Sequence, residues 1–376
     1  MTSLPEQMRD LLTLQLIPGL GPLRTAALLE RFDSARDVLA ASAEELAEVP
    51  GIGSKLSAEI VQGRREVDVE EELRLLEKHQ VRLVARGTPE YPAALAEIHD
   101  PPYLLYVRGM LEERDGRAVA IVGSRQCSDY GRRVTTRLAA DLARAGYTVV
   151  SGLARGTDGV AHKGALQAGG RTLAVLAGGL SRIYPPEHQG LADEVEKAGA
   201  LLTESRMGQE PLATLFPGRN RIISGLCQAI VLVEAAEKSG ALITATHAAE
   251  QGRSVLAVPG PVDSPSSGGT NALIRQGAIL CRGIDDILEE LQGVSAIATA
   301  AKAPAAATQA APPPGPPPWL DETQRRVWEF LAEGPRHLDE MVQQLGLSVS
   351  QLSGMLLTME MRKTMRRLPG NRYERC

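Results

Sequence analysis

At 376 residues the chain has room for two or three domains, at least one of them with a full core. A net charge of −5 excludes a uniformly basic nucleic-acid binder, and 3% aromatic content leaves aliphatic packing to build the interior. No apolar run approaches the roughly 20 residues of a membrane span, and the start, MTSLPEQMRD, lacks an export-signal pattern, so a cytoplasmic protein is expected.

The charge is uneven. Residues 1–116 carry 13 Lys/Arg against 21 Asp/Glu, residues 117–292 carry 18 against 17, and residues 293–376 carry 10 against 8. An anion site in the middle of the chain would therefore be a local cluster. Cys127, Cys227, Cys281 and Cys376 have no metal-ligand spacing and read as reduced packing or surface residues.

In chain order, Ile17-Pro18-Gly19-Leu20-Gly21 leads into an apolar-periodic stretch, Leu23 to Phe32. The pattern returns at Val49-Pro50-Gly51-Ile52-Gly53 ahead of Leu56 to Val61. This internal repeat resembles the tandem helix-hairpin-helix module, in which hairpin N–H groups face a DNA phosphate without reading sequence. The acidic surroundings, Glu44, Glu45, Glu48, Glu66, Asp68, Glu70, Glu71 and Glu72, would repel DNA, and a helical scaffold is the competing reading. Strands over Val81–Val84 and Tyr103–Val107 then extend a main sheet.

From Arg117 to Leu291, short β-rich runs alternate with helical patterns. Strands are predicted at Ala118–Val122, Thr148–Val150, Thr172–Leu176, Leu201–Thr203, Ile230–Val233, Ser254–Val258 and Ala278–Leu280. Such alternation implies a parallel sheet covered on both faces, with ligands at the carboxyl ends of its strands. Those ends hold Gly123-Ser124-Arg125, then Gly152, Arg155, Gly156 and Asp158 with His162, then Gly178-Gly179, Glu204, Glu234, and Ser239-Gly240. The recurring glycines predict a backbone that lets a bulky anionic ligand come close, with tight loops as the alternative.

Phe216-Pro-Gly-Arg-Asn-Arg-Ile-Ile-Ser-Gly225 is the most informative segment. Pro217 suits a helix start. Arg219 and Arg221 stand where the helix dipole disfavours cations, which calls for either a bound anion or internal Asp/Glu partners. Phe216 reads as core or as a base-stacking platform, and Asn220 as a hydrogen-bonding group for a base edge or the backbone.

These motifs, in this order, together with Ser239-Gly-Ala-Leu-Ile-Thr244 and Val258-Pro-Gly260, resemble the DprA/Smf family of bacterial DNA-processing proteins over nearly the whole chain. The resemblance implies an extended Rossmann-like, doubly wound, mostly parallel α/β sheet. It also implies sequence-independent binding of single-stranded DNA, delivery of that strand to the RecA recombinase in natural transformation, and no catalytic reaction, cofactor or metal. It places Ser124, Arg125, Phe216, Arg219, Asn220 and Arg221 along the strand, with Gly123, Gly152, Arg155, Gly156, Ser239 and Gly240 beside them. Relatives often carry a basic residue just before the Phe; here Ala213-Thr214-Leu215 stand there, which shifts weight to Arg125, Arg155, Arg219 and Arg221. The family dimerises through the late part of this domain, and Leu273, Ile274, Ile279 and Leu280 are the candidate surface.

Residues 293–318, ending APPPGPPP, are too rich in Ala and Pro to bury a core and read as an extended, mobile linker. Helices over Thr323–Leu331, Leu338–Leu345 and Val349–Met361, with Ser348 and Ser350 as candidate caps, precede two short strands between Arg366 and Tyr373. That is a winged helix. Its basic residues, Arg362, Lys363, Arg366, Arg367 and Arg372, gather about the wing and suit backbone contact, including weak duplex contact, or a protein partner. The expected domains are thus 1–78 (helix-hairpin-helix), 79–292 (Rossmann-like), 293–318 (linker) and 319–376 (winged helix).

Two enzymatic readings compete. A nucleoside-monophosphate phosphoribohydrolase of a related fold would need Pro-Gly-Gly-x-Gly-Thr-x-x-Glu; Ser239 to His247 lacks the later glycines and has His247 in place of the Glu. A dinucleotide-dependent oxidoreductase would need Gly-x-Gly-x-x-Gly after the first strand, and Val122-Gly-Ser-Arg-Gln-Cys lacks it.

Overall fold

The computed structural model describes residues 4–292, 317, 319–334, 336–362, 364–368 and 372–375, which fall in two compact units, Met1–Ala300 and Ala301–Cys376. The expected linker, Pro317 apart, and the expected wing turn at 369–371 lie outside the described residues, as do Lys363 and Cys376.

The first unit opens with six helices: α1 (Glu6–Leu16), α2 (Pro22–Phe32), α3 (Ala35–Ala40), α4 (Ala43–Ala47), α5 (Ser54–Glu66) and α6 (Val69–Lys78). Ser34, Ser42 and Asp68 cap three of them by accepting from the N–H three residues on. The repeated Pro-Gly turns have a backbone reason: Gly19 and Gly51 sit at φ +83° and +82°, a region that favours glycine. Leu14, Ile17, Leu28, Val38, Leu46 and Ile60 form a core of this module's own.

That core is not the only one the module serves. Leu12 and Leu16 of α1 and Leu76 of α6 join Leu104, Tyr106 and Leu201 of the sheet in a second cluster. A boundary at residue 78 therefore runs alongside a shared core.

The sheet follows: β1 (Arg82–Ala85), α7 (Ala93–Ala96), β2 (Leu104–Gly109), β3 (Ala118–Val122), α8 (Asp129–Arg144), β4 (Thr148–Ser151), α9 (Thr157–Gln167), β5 (Thr172–Val175), α10 (Gln189–Ala198), β6 (Ala200–Thr203), α11 (Leu215–Gly225), β7 (Ala229–Leu232), α12 (Ala241–Glu250), β8 (Ser254–Ala257), α13 (Gly268–Arg275), β9 (Ile279–Leu280) and a helix α14 over residues 284–292. Strand order is β1-β2-β6-β5-β4-β3-β7-β8-β9. From β6 to β9 every pairing is parallel, and β2 and β1 add antiparallel extensions. The strands stand within two residues of their predicted bounds.

Side-chain alternation explains the continuous apolar run of β3. Val119 and Ile121 face a cluster with Leu138 of α8 and Ala161 of α9, while Ala118, Ala120 and Val122 face Ile222 of α11 and Ala245 of α12. The chain winds one way from β3 through β6 and the other way from β7 to β9. The switch between β3 and β7 is where such sheets open a crevice.

At the far edge, where the sequence puts the candidate dimer surface, Leu273, Ile274 and Ile279 are half-buried and Leu280 is exposed; Leu273 packs partly against one sheet-face cluster and Ile279 against the other. Among the described residues no helix is long and apolar enough to cross a membrane.

The second unit contains α15 (Glu322–Phe330), β10 (Arg336–His337), α16 (Leu338–Leu345), α17 (Val349–Met361), β11 (Met365–Leu368) and β12 (Arg372–Arg375), with sheet order β10-β12-β11. Val327, Met341, Leu352, Leu356 and Met359 make its core. Three helices and a small antiparallel sheet form the expected winged helix. Strand β10 went unread because two residues show no alternation. Ser348 caps α17 in a capping box with Gln351, whereas Ser350 lies inside the helix.

Candidate nucleic-acid interface

The carboxyl ends of β3, β4 and β7 and the first turns of α11 and α12 enclose an open cleft of about 650 Å³. Gly123 to Gln126, Ala154, Phe216, Arg219, Asn220 and Lys238 to Ala241 line it. A narrower pocket continues past Arg125 and Phe216 toward Arg155, Leu176, Arg182, Tyr184 and Pro211. Phe216 borders both spaces.

Arg125 is exposed at the tip of the β3 turn and forms no ion pair with the described residues. Its guanidinium lies over Phe216, 4.6 Å from the ring centre. The turn below is built tightly. The Ser124 carbonyl accepts from the Thr157 N–H at 3.1 Å, and the Ser124 hydroxyl accepts from the Gln126 N–H at 3.0 Å. Across the switch, α12 starts at Gly240 without a side-chain cap, so its positive end faces the cleft. Asn220, in the second turn of α11, donates to the Gly240 carbonyl at 3.4 Å and links α11 to the start of α12, and the Ser239 hydroxyl accepts from the Ala241 N–H. Lys238, exposed beside them, is a cleft cation that the sequence reading missed. The signal was available: a lysine directly before a strand-end Ser-Gly.

The other arginines divide by burial. Arg155 is exposed at the mouth of the narrower pocket, pairs with Glu187 at 2.5 Å and lies 5.9 Å from the Tyr184 ring centre. Arg219 is 5% exposed; its Nη1 donates to the Val175 carbonyl at 2.7 Å and its Nε has no hydrogen-bond partner among the described residues. Burial lowers its pKa, opposed by the carboxylate of buried Asp158, whose own pKa burial raises. Arg221, which the family resemblance places along the strand, takes the internal-partner alternative. It turns out of the cleft and pairs with Asp100 at 3.0 Å and Glu204 at 2.5 Å. Internal partners, not an external anion, explain that arginine.

Most of the glycines take the tight-packing alternative, although Gly123 and Gly152 also line the two spaces. A Cβ on Gly152 would lie 1.5 Å from Nη1 of Arg219, one on Gly123 2.7 Å from the Thr157 hydroxyl, and one on Gly156 2.2 Å from the Ser124 carbonyl. Cβ atoms on Gly178 and Gly179 would likewise meet the backbone of residues 206–211. These glycines let protein loops approach one another. Gly240 alone of the cleft glycines predicted as site residues meets nothing within 4 Å, and it keeps the reading of an open approach.

The strand-end carboxylates and His162 are occupied internally. Glu234 accepts from the N–H and hydroxyl of Ser128, which in turn caps α8. His162 is fully buried: its Nε2 accepts from the Leu153 N–H at 3.3 Å, so Nδ1 carries the proton and donates to the Thr172 hydroxyl at 2.7 Å. Burial, then His188 and Arg219, push its pKa down to about 3. His247 sits on α12 beside Glu250.

Comparison with known proteins matches three segments of the chain to family models: a SAM-like helix-hairpin-helix tandem at residues 9–66, DNA recombination-mediator protein A at 82–292 and a DprA winged helix domain at 298–371. The protein Smf of Synechocystis is 33% identical, with 96% of each chain covered. The crystal structure of DNA processing protein A from Streptococcus pneumoniae superposes with a TM-score of 0.67 at 34% identity, covering 75% of this chain and 97% of that one. A Helicobacter pylori DNA processing protein A, solved to describe its single-stranded DNA binding mode, gives a TM-score of 0.51 at 28% identity over 57% of this chain and 96% of that one.

Proposed function

We propose a function from one premise: the chain belongs to the DprA/Smf family, the DNA recombination-mediator protein A family. It binds single-stranded DNA without sequence preference along the cleft at the β3/β7 switch. Phosphates lie against Arg125, Lys238 and the start of α12, and a base stacks on Phe216. The observation that carries this reading is Arg125, an exposed cation with no ion pair among the described residues, over an aromatic ring in an open cleft. A groove that tracks a backbone and offers an aromatic platform suits any base. The absence of a second glycine in the β3 turn and the loop-filled glycines leave no closed cradle for a pyrophosphate.

No reaction is assigned to the cleft. Asp158, Glu204 and Glu234 are held by neighbouring N–H, hydroxyl and guanidinium groups, which supports a structural role for each. The bound strand is then handed to the RecA recombinase during natural transformation, and a second copy docks on the edge at Ile274 and Leu280. A salt titration of binding to single- and double-stranded oligonucleotides tests the first part. Affinity for single strands should fall steeply with salt and be equal across sequences. Base release from nucleoside monophosphates would overturn it.

A further inference from the structure

The segment from Glu204 to Pro211 reaches the narrower pocket at Pro211, which lines it, and two side chains from the N-terminal helices bond to the backbone of this segment. Glu72 of α6 belongs to the acidic run that reads from sequence as a DNA-repelling surface, yet it is 5% exposed. Its carboxylate accepts from the N–H of Met207 at 2.7 Å, and Met207 has no exposure at all. Gln15 of α1 donates from Nε2 to the Glu204 carbonyl at 2.7 Å.

Both contacts lead directly to the pocket. The Met207 carbonyl accepts from the N–H of Ser181 at 3.2 Å, and Gly179 donates to the Gln209 carbonyl at 2.9 Å. Met207 and Gln209 thus tie this segment to the loop after β5, which carries Gly178 into the pocket lining. The Glu204 carboxylate pairs with Arg221 on α11, the helix that presents Phe216 and Arg219. A buried carboxylate costs more than an apolar side chain at the same place unless it pays for itself in a contact. Here it satisfies a buried N–H that no other described group bonds.

We propose that Glu72 and Gln15 are positioning residues for the cleft: the helical N-terminal module sets the segment over residues 204–211 and the orientation of α11, and so tunes single-strand affinity without touching the strand. This rests on the cleft being the single-strand site.

The test uses the full chain, a fluorescein-labelled single-stranded oligonucleotide of mixed sequence, and amide hydrogen exchange without DNA. Glu72→Ala and Gln15→Leu should each weaken binding on the order of three- to tenfold. Each should also speed exchange over residues 204–216, while Glu72→Gln, which keeps an acceptor for the Met207 N–H, stays near the parent in both. Unchanged affinity in folded Glu72→Ala and Gln15→Leu overturns the proposal. So does an equal loss in Glu72→Gln with faster exchange throughout the sheet, which marks a general structural role. If Glu72→Ala does not fold, Gln15→Leu decides. If the parent binds no single strand, the cleft reading fails; the positioning claim then stands or falls on whether exchange over 204–216 changes.

Discussion

The guanidinium of Arg125 and the ring of Phe216 meet 4.6 Å apart across the sheet's topological switch, one from the β3 turn and one from the first turn of α11. Neither side chain could be assigned this partner from its own segment. The contact gives an exposed cation a place to rest, worth about 0.5–1 kcal/mol. If the proposed reading holds, an arriving phosphate takes the guanidinium over and frees the ring for a base.

The two residues should therefore fail differently. Arg125→Ala removes one phosphate contact and should reduce the slope of log affinity against log salt by about 0.7. Phe216→Ala should weaken binding by about 1–3 kcal/mol and leave the slope in place. Anisotropy titrations over a salt series distinguish them. A parental slope in Arg125→Ala removes that residue from the interface.

Arg221 should act on stability. The residue is 5% exposed, its guanidinium pairs with Asp100 and Glu204, and Arg221→Ala strands two carboxylates. A loss of about 3 kcal/mol or more is expected in urea unfolding. Arg125→Ala, at an exposed site, should stay within about 0.5 kcal/mol of the parent. Equal effects on stability would remove the distinction between an internal arginine and a ligand-facing one.

Gly152 and Gly240 form a second contrasting pair. Gly152→Ala sets a methyl group 1.5 Å from the Arg219 guanidinium and must displace it from the Val175 carbonyl. Gly240→Ala meets open space at φ −61°. The first should lower both stability and single-strand affinity. The second should leave stability near the parent. A thermal melt that ranks them the other way contradicts the packing described for Gly152.

His162 predicts a pH dependence. Its pKa falls from 6.5 to about 3 on folding, so between those values the unfolded chain holds more protons than the folded one. This contribution is fully present above about pH 6.5 and is lost as pH falls toward 3. The urea midpoint should drop across that window. In His162→Gln the drop should be shallower, from a lower starting stability, and an unchanged pH slope would exclude His162 as its source.

The strands were legible because buried parallel strands are continuous apolar runs between glycine-rich turns. The N-terminal repeat was legible because Gly19 and Gly51 hold a backbone conformation that marks itself in sequence. Arg125 and Phe216 could be singled out as residue types at strand and helix ends. The fate of Arg221 could not, because its partners Asp100 and Glu204 come from distant segments. The glycines misled for a related reason. A glycine at a strand end records close approach, and sequence does not tell whether a ligand or another loop, such as residues 206–207 against Gly179, does the approaching.

Helix α1 answers to two interiors. Leu14 lies in the hairpin module's cluster, and Leu12, two positions earlier, lies in the cluster shared with the sheet. Lesions at these neighbouring positions should be separable: one loosens the hairpins, the other the floor behind the narrower pocket. The same geometry makes the module hard to detach. A fragment starting at residue 79 would strip the α1 cover from β2, where Leu104 and Tyr106 are fully buried in the intact chain, and would trade a folded sheet for a sticky one.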